Sequence, residues 1–162
     1  NPGIERCFRV PDAAADSFLA SESNARSAIE YGAQILTYHE IISLTVIKDS
    51  VTGAICHDLV NDEQVIISAD QVINASGAWA AKNTRLAGID LQILPGKGTM
   101  VALNHRILNT VVNRCKMPSD GDIIVPIHTV AVIGTTDIQI TDPDKLSIEP
   151  WEIRLMLDEG EK

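Results

Sequence analysis

Between residues 42 and 69 the chain sets three apolar runs in succession, with only short polar turns between them. Ile42, Leu44 and Val46 alternate with Ser43 and Thr45, the period-two pattern of a half-buried strand. Residues 49–53 read as a turn, 54–60 as a second strand, 61–63 as another turn and 64–69 as a third strand. A parallel pair would need a crossover helix, and no connection here is long enough for one. The meander is therefore antiparallel.

The flanking sequence supplies other elements. Residues 7–10 read as a short strand stopped by Pro11. Asp16 is a good N-cap for a helix running to about Tyr31, with Ala14, Phe18, Ala25, Ala28 and Ile29 near helical spacing and Gly32 as its stop. Residues 34–38 read as a short strand. Val72, Ile73 and Asn74 form an apolar strand running into small residues, then a helix from about Trp79 to Ala87 with Gly88 as its stop. Residues 91–94, 99–103, 122–125 and 130–134 read as strands. Residues 95–98 interrupt the first two, and 118–121 and 126–129 read as loops. An acidic helix over 149–161 follows, with Ser147 as N-cap and Pro150 in its first turn. Strands outnumber helices, without the regular alternation of a complete doubly wound sheet.

A 45% hydrophobic chain of 162 residues can build one ordinary core. Its longest apolar runs are far short of the roughly 20 residues a spanning helix needs. A net charge of −9 argues against nucleic acid, which would meet no phosphate-neutralising stripe. An anionic substrate would need a local basic pocket set against that field. Cys7, Cys56 and Cys115 show no CxxC and an odd count, so they read as small buried hydrophobes in a reducing compartment. His39, His57, His105 and His128 lack metal spacing, and no metal is expected. His57 reads as exposed on a strand, and His128 sits in a hairpin loop. Arg106 and Arg114 could each pair a phosphate or simply face solvent. The first residues show no signal peptide, and both ends of the chain read as cuts rather than natural termini.

Three segments could carry chemistry. In Val72-Ile73-Asn74-Ala75-Ser76-Gly77-Ala78-Trp79, small residues between strand and helix let backbone approach a phosphate or sugar. A tight turn with no ligand would look the same. Pro95-Gly96-Lys97-Gly98-Thr99 offers a cation between two glycines but lacks the P-loop order, so a plain connecting turn competes with an anion site. Val132-Ile133-Gly134-Thr135-Thr136-Asp137 ends a strand in two hydroxyls and a carboxylate. It suits a polyol or phosphate, or a simple hydroxyl-closed turn.

The order of these segments adds what none gives alone. The run VINASGAWA after a meander resembles the second flavin-contacting segment of the D-amino-acid-oxidase-like flavoproteins. LPGKGTMVAL and VIGTTD resemble the glycerol-3-phosphate dehydrogenase branch. NRCKMPSDGDIIVPIHTVAVIGTTD is similar to the catalytic A subunit of its anaerobic, respiratory type. The resemblance covers nearly the whole chain, from Phe8 to the acidic helix.

It implies a mixed α+β / α/β fold: a partial Rossmann-like FAD-binding domain over 11–90, joined to a partial antiparallel-sheet substrate domain over 1–10 and 91–162. Ile41, Ala75, Ser76, Gly77 and Trp79 would contact FAD, and Lys97, Gly98, Thr135 and Thr136 would contact substrate. The resemblance assigns no general base. The implied reaction oxidises sn-glycerol 3-phosphate to dihydroxyacetone phosphate by hydride transfer to FAD. Electrons would pass to quinone through membrane-anchor and electron-transfer partners, at a cytoplasmic site peripheral to the membrane. Two departures stand out. Met100 occupies a place where aerobic relatives often carry His, and no GxGxxG opens the chain. Basic substrate-binding residues after the acidic helix and a cysteine-rich domain are also absent. A piece without the glycine-rich turn is expected to be inactive alone. Another flavin oxidoreductase acting on an amine or hydroxy acid, or a non-catalytic ligand-binding module, are the alternatives.

Overall fold

The computed structural model describes residues 3–114 and 123–161. Cys115, the loop expected at 118–121, the start of the strand expected at 122 and most of the NRCKMPSD run lie outside them. The chain divides into two units, Asn1–Asn24 with Gly96–Lys162, and Ala25–Pro95. The first boundary falls inside helix α1 (Ser17–Glu30).

The Ala25–Pro95 unit is built on the meander, β1 (His39–Ile47), β2 (Ser50–Asp58) and β3 (Glu63–Ser68), antiparallel in that order as expected. The turns are displaced from the expected positions. The first is only Lys48 and Asp49, both at positive φ, closing the Ile47–Ser50 pair. That is the tight hairpin geometry usually given to Asn-Gly, which hides it from a search for glycine. The second occupies residues 59–62, where Asp58 Oδ1 accepts from the Val60 and Asn61 N–H groups at 2.9 and 3.3 Å. Register shifts at Ile42 and Thr52 break strict alternation, and Ile42 and Val46 are exposed. Gly53 is required where it stands, because a Cβ there would strike the Ile67 carbonyl on β3. Ala54, Cys56 and Asp58 are buried on β2.

Helix α1 starts as expected. Asp16 Oδ1 accepts from the Phe18 and Leu19 N–H groups, each at 3.0 Å. It ends at Gly32, φ +90, where Gly32 N–H donates to Ile29 O and Ala33 N–H to Ala28 O, the paired C-terminal bonds of a Schellman motif. Gly88, φ +75, closes α2 (Ala80–Arg85) in the same way, with Gly88 N–H to Arg85 O and Ile89 N–H to Thr84 O. No residue of α1 is buried, and Phe18 is 86% exposed.

The other unit holds a four-stranded antiparallel sheet in the order β5 (Val101–Ala102), β8 (Val130–Gly134), β7 (Ile123–Ile127), β6 (Val112–Asn113). A second, two-stranded ladder pairs β4 (Gly96–Lys97) with β9 (Ile138–Gln139). The 130–134 strand has the expected bounds. Its Ala131 and Ile133 are buried, as is Met156 of helix α3 (Pro150–Glu161). Gly160 lets α3 approach β8, because a Cβ there would lie 2.5 Å from Ile133 Cδ1. Arg114 Nη2 donates to Glu159 Oε2 at 2.6 Å, pinning the end of α3.

Four expected strands do not form. Residues 7–10, 34–38, 72–74 and 91–94 have no ladder partner among the described residues. Residues 96–97, expected as an interruption, are themselves a strand, and the expected 126–129 loop shrinks to His128 and Thr129. Pro126 sits on β7 beyond the reach of β6, where its missing N–H removes no bond to that neighbour.

Large apolar side chains such as Phe8, Phe18, Ile73 and Leu94 are exposed. Of the cysteines expected to be buried, Cys56 meets the expectation and the exposed Cys7 does not. Among the described residues no helix is long and apolar enough to cross a membrane.

Candidate active site

The expected cofactor-contacting residues all lie in the Ala25–Pro95 unit, and the expected substrate-contacting residues all lie in the other.

In the first group, residues 75–79 form a turn with Ala75, Gly77 and Trp79 exposed and Ser76 and Ala78 half-buried. A short 3-10 helix, Gly77–Trp79, opens α2 and replaces the expected start at Trp79. Asn74 organises it. Its Oδ1 accepts from Ser76 Oγ at 2.6 Å and Ser76 N–H at 3.3 Å, while its Nδ2 donates to Ala80 O at 3.0 Å. Asn83 Nδ2 donates to Ser76 Oγ at 2.9 Å. The Ser76 hydroxyl is thus committed to holding the turn. Gly77 has φ +55, and a Cβ there would meet nothing within 4 Å. The space on its Cβ side is therefore open, while its carbonyl accepts from the Ala80 N–H. Ala75 and Trp79 are exposed, as is Ile41 on β1 beside the register shift.

The second group converges on a residue the sequence did not single out. Glu152 is fully buried, and each of its oxygens is used. Lys97 Nζ donates to Oε2 at 2.7 Å and to the Ser147 carbonyl at 2.6 Å. Thr99 Oγ1 donates to Oε1 at 2.7 Å, and Thr136 Oγ1 lies 3.4 Å from the same oxygen. The Glu149 N–H donates to Oε2 at 2.8 Å. Glu149 therefore takes the N-cap place expected for Ser147, with Pro150 as the first helical residue and Glu152 reaching back as in a capping box. The Glu149 N–H, then the Lys97 ammonium, hold the Glu152 carboxyl down at about 2 against the opposing effect of burial. A charged residue on an acidic helix reads as solvated. Its position three residues after a cap, with Pro in between, was the signal that could have found it.

Lys97 and Thr136 therefore meet at one carboxylate. The Lys97 side chain is 11% exposed and Thr136 1%. Thr136 Oγ1 also accepts from the Thr99 N–H at 2.8 Å. Gly98 and Thr135 form the exposed rim above them, packed so closely that a Cβ on Gly98 would strike Thr135 Oγ1. Met100 covers Gly134, whose absent Cβ would lie 2.8 Å from Met100 Cγ.

Other candidates are engaged elsewhere. Arg106 donates to Asn109 Oδ1 and the His128 carbonyl, at 3.0 and 2.8 Å. His57, expected to be exposed, is half-buried and pairs with Asp62 at 2.8 Å. His128 Nε2 lies 3.1 Å from Asp16 Oδ2.

The model of the FAD dependent oxidoreductase family matches residues 1–162. The chain is 39% identical, over 96% of its length, to the A1 subunit of the anaerobic glycerol-3-phosphate dehydrogenase of Haloferax volcanii, and covers 28% of that protein. It is 36% identical over its whole length to the A subunit of the Escherichia coli anaerobic glycerol-3-phosphate dehydrogenase, covering 30% of it. The chain thus spans under a third of the curated relatives it matches. The fold is similar to that of the glycerol-3-phosphate dehydrogenase from Bacillus halodurans complexed with FAD, with a TM-score of 0.72, 24% identity, and coverage of 83% of this chain and 28% of that one. With a family model matched end to end and the meander, turn and sheet arranged as described, this chain belongs to the FAD dependent oxidoreductase family.

Proposed function

We propose that the chain is a segment of a quinone-linked, FAD-dependent sn-glycerol-3-phosphate dehydrogenase of the anaerobic type. The carrying observation is its 36–39% identity, over 96–100% of its length, to the A-type subunits of two anaerobic glycerol-3-phosphate dehydrogenases. We assign the reaction as oxidation of glycerol 3-phosphate to dihydroxyacetone phosphate in the cytoplasm. Partner subunits would carry the electrons to a membrane to which the enzyme is peripheral.

The residues present fit FAD. The open space beside Gly77 leaves room for a ligand, and Asn74 and Asn83 brace the turn through their own side chains. Ala75, Ser76, Gly77 and Trp79, with Ile41, would hold the cofactor, chiefly through backbone groups. Bound FAD would supply the hydride acceptor. Residues 11–90 would form most of its domain in this segment, and residues 1–10 and 91–162 the substrate domain. At the substrate side Lys97 supplies a fixed cation, and Thr135 a rim hydroxyl whose proton goes to the Thr99 and Thr136 carbonyls, leaving its oxygen to accept from a substrate hydroxyl. Gly98 gives Thr135 room, and Thr136 supports the rim from beneath. Such groups orient substrate rather than move a proton.

The test is dye-linked oxidation by the full-length flavoprotein carrying this segment. Reduction should depend on sn-glycerol 3-phosphate. Turnover of an amine or hydroxy acid instead would replace this reading with a different oxidoreductase of the same family.

A further inference from the structure

We propose that Glu152 is a positioning residue of the substrate site, acting through Lys97; this rests on the functional reading above. The ammonium has three N–H donors, and two are spent on Glu152 and the Ser147 carbonyl. Both acceptors belong to the start of α3 or the segment leading into it. Glu152 is in turn fixed from several sides, by the Glu149 N–H and the Thr99 hydroxyl, so it is a rigid anchor. Lys97 is held next to Gly98, whose rim partner is Thr135. Its side chain keeps 11% exposure.

A purely structural role explains this arrangement poorly. The same helix already docks on β8 and β5 through apolar contact, with Met156 and Ile133 buried. A buried ion pair adds little to such a contact, because desolvation offsets most of the attraction. What the pair does provide is a cation in one place. A flexible lysine on a four-carbon stem would otherwise lose rotamer freedom each time it met an anion. Glu152 removes that cost beforehand.

The test uses the full-length flavoprotein, with steady-state kinetics in sn-glycerol 3-phosphate, flavin content and melting temperature. Lys97→Met should raise KM about tenfold, the scale of one charge-assisted hydrogen bond. Glu152→Gln should raise KM comparably, with flavin content retained and kcat changed less than about twofold. The double variant should be no worse in KM than Lys97→Met alone, because the proposal has Glu152 reach substrate through that ammonium. Additive KM effects would overturn the inference. So would an unchanged or lowered KM in Glu152→Gln beside a raised one in Lys97→Met, and the functional reading would then survive. Unchanged KM in both Lys97→Met and Thr135→Val would remove the rim from the substrate site and defeat that site assignment as well. If Glu152→Gln does not fold with flavin, Glu152→Asp carries the same comparison: it keeps the charge on a shorter arm, and an unaltered KM there would also refute the positioning role.

Discussion

The turn at residues 74–79 and the junction around Glu152 are built by opposite means. The turn is made from one stretch of chain. Asn74 and Asn83 reach partners no more than seven residues away, and the space beside Gly77 is left open. The junction joins β4, the end of β8 and the first turn of α3, through contacts that span 16 to 55 residues. Its polar groups point inward and satisfy one another. A locally braced turn needs little from the rest of the fold and can present its backbone to a ligand. A junction of distant segments depends on helix docking, and whatever it presents is only as well placed as that helix.

The largest test of this contrast is Met156→Ala. Truncating a fully buried methionine should cost about 2–5 kcal/mol in chemical denaturation. The loosened α3 should speed hydrogen exchange at the Thr99 and Thr136 amides, which bond across the junction, and leave those of Ser76 and Trp79 unchanged. Equal acceleration in both regions would break the comparison.

Acid should divide the regions more gently. The Glu152 carboxyl is held down at about 2 from an ordinary 4.5, so its stabilising contribution is fully present above about 4.5. It is lost as pH falls through that window towards 2. Amide exchange corrected for its intrinsic pH dependence should therefore show the junction opening below pH 4.5, with no change from Glu152 between pH 5 and 8. The turn at 74–79 contains no carboxylate or histidine and should keep its protection. Loss of both together would mean that the junction does not open independently.

The smallest effect belongs to Asn74→Ala. It removes three exposed hydrogen bonds within the turn, and a loss of about 1 kcal/mol is expected. The junction should not register it, which exchange at Thr136 would check.

The same division governs what could be read from sequence. Asp16, Gly32 and Gly88 were legible because capping is a matter of a few neighbouring residues. So was the 130–134 strand, an unbroken apolar run. Residues 34–38 and 91–94 have strand-like composition but no ladder partner among the described residues, and a partner is not written in the run itself. Lys48 and Asp49 make a tight turn without glycine, which shifted the meander boundaries. The register shifts at Ile42 and Thr52 then spoiled the alternation on which the first strand was read. At the junction, Lys97 and Thr136 were visible as candidates because of their neighbours in sequence. Their shared partner was not, since nothing local to Glu152 announces a lysine 55 residues away.

Flavin per polypeptide, measured on full-length Gly77→Val and Thr135→Val side by side, tests the proposed division of labour most directly. Valine at φ +55 is strained, and its side chain would occupy the open space where the cofactor is assigned. Thr135 lies on the rim assigned to substrate. The account predicts a marked loss of flavin in Gly77→Val and full occupancy in Thr135→Val, whose defect should appear in KM instead. Normal flavin in Gly77→Val, or equal loss in both, would contradict it.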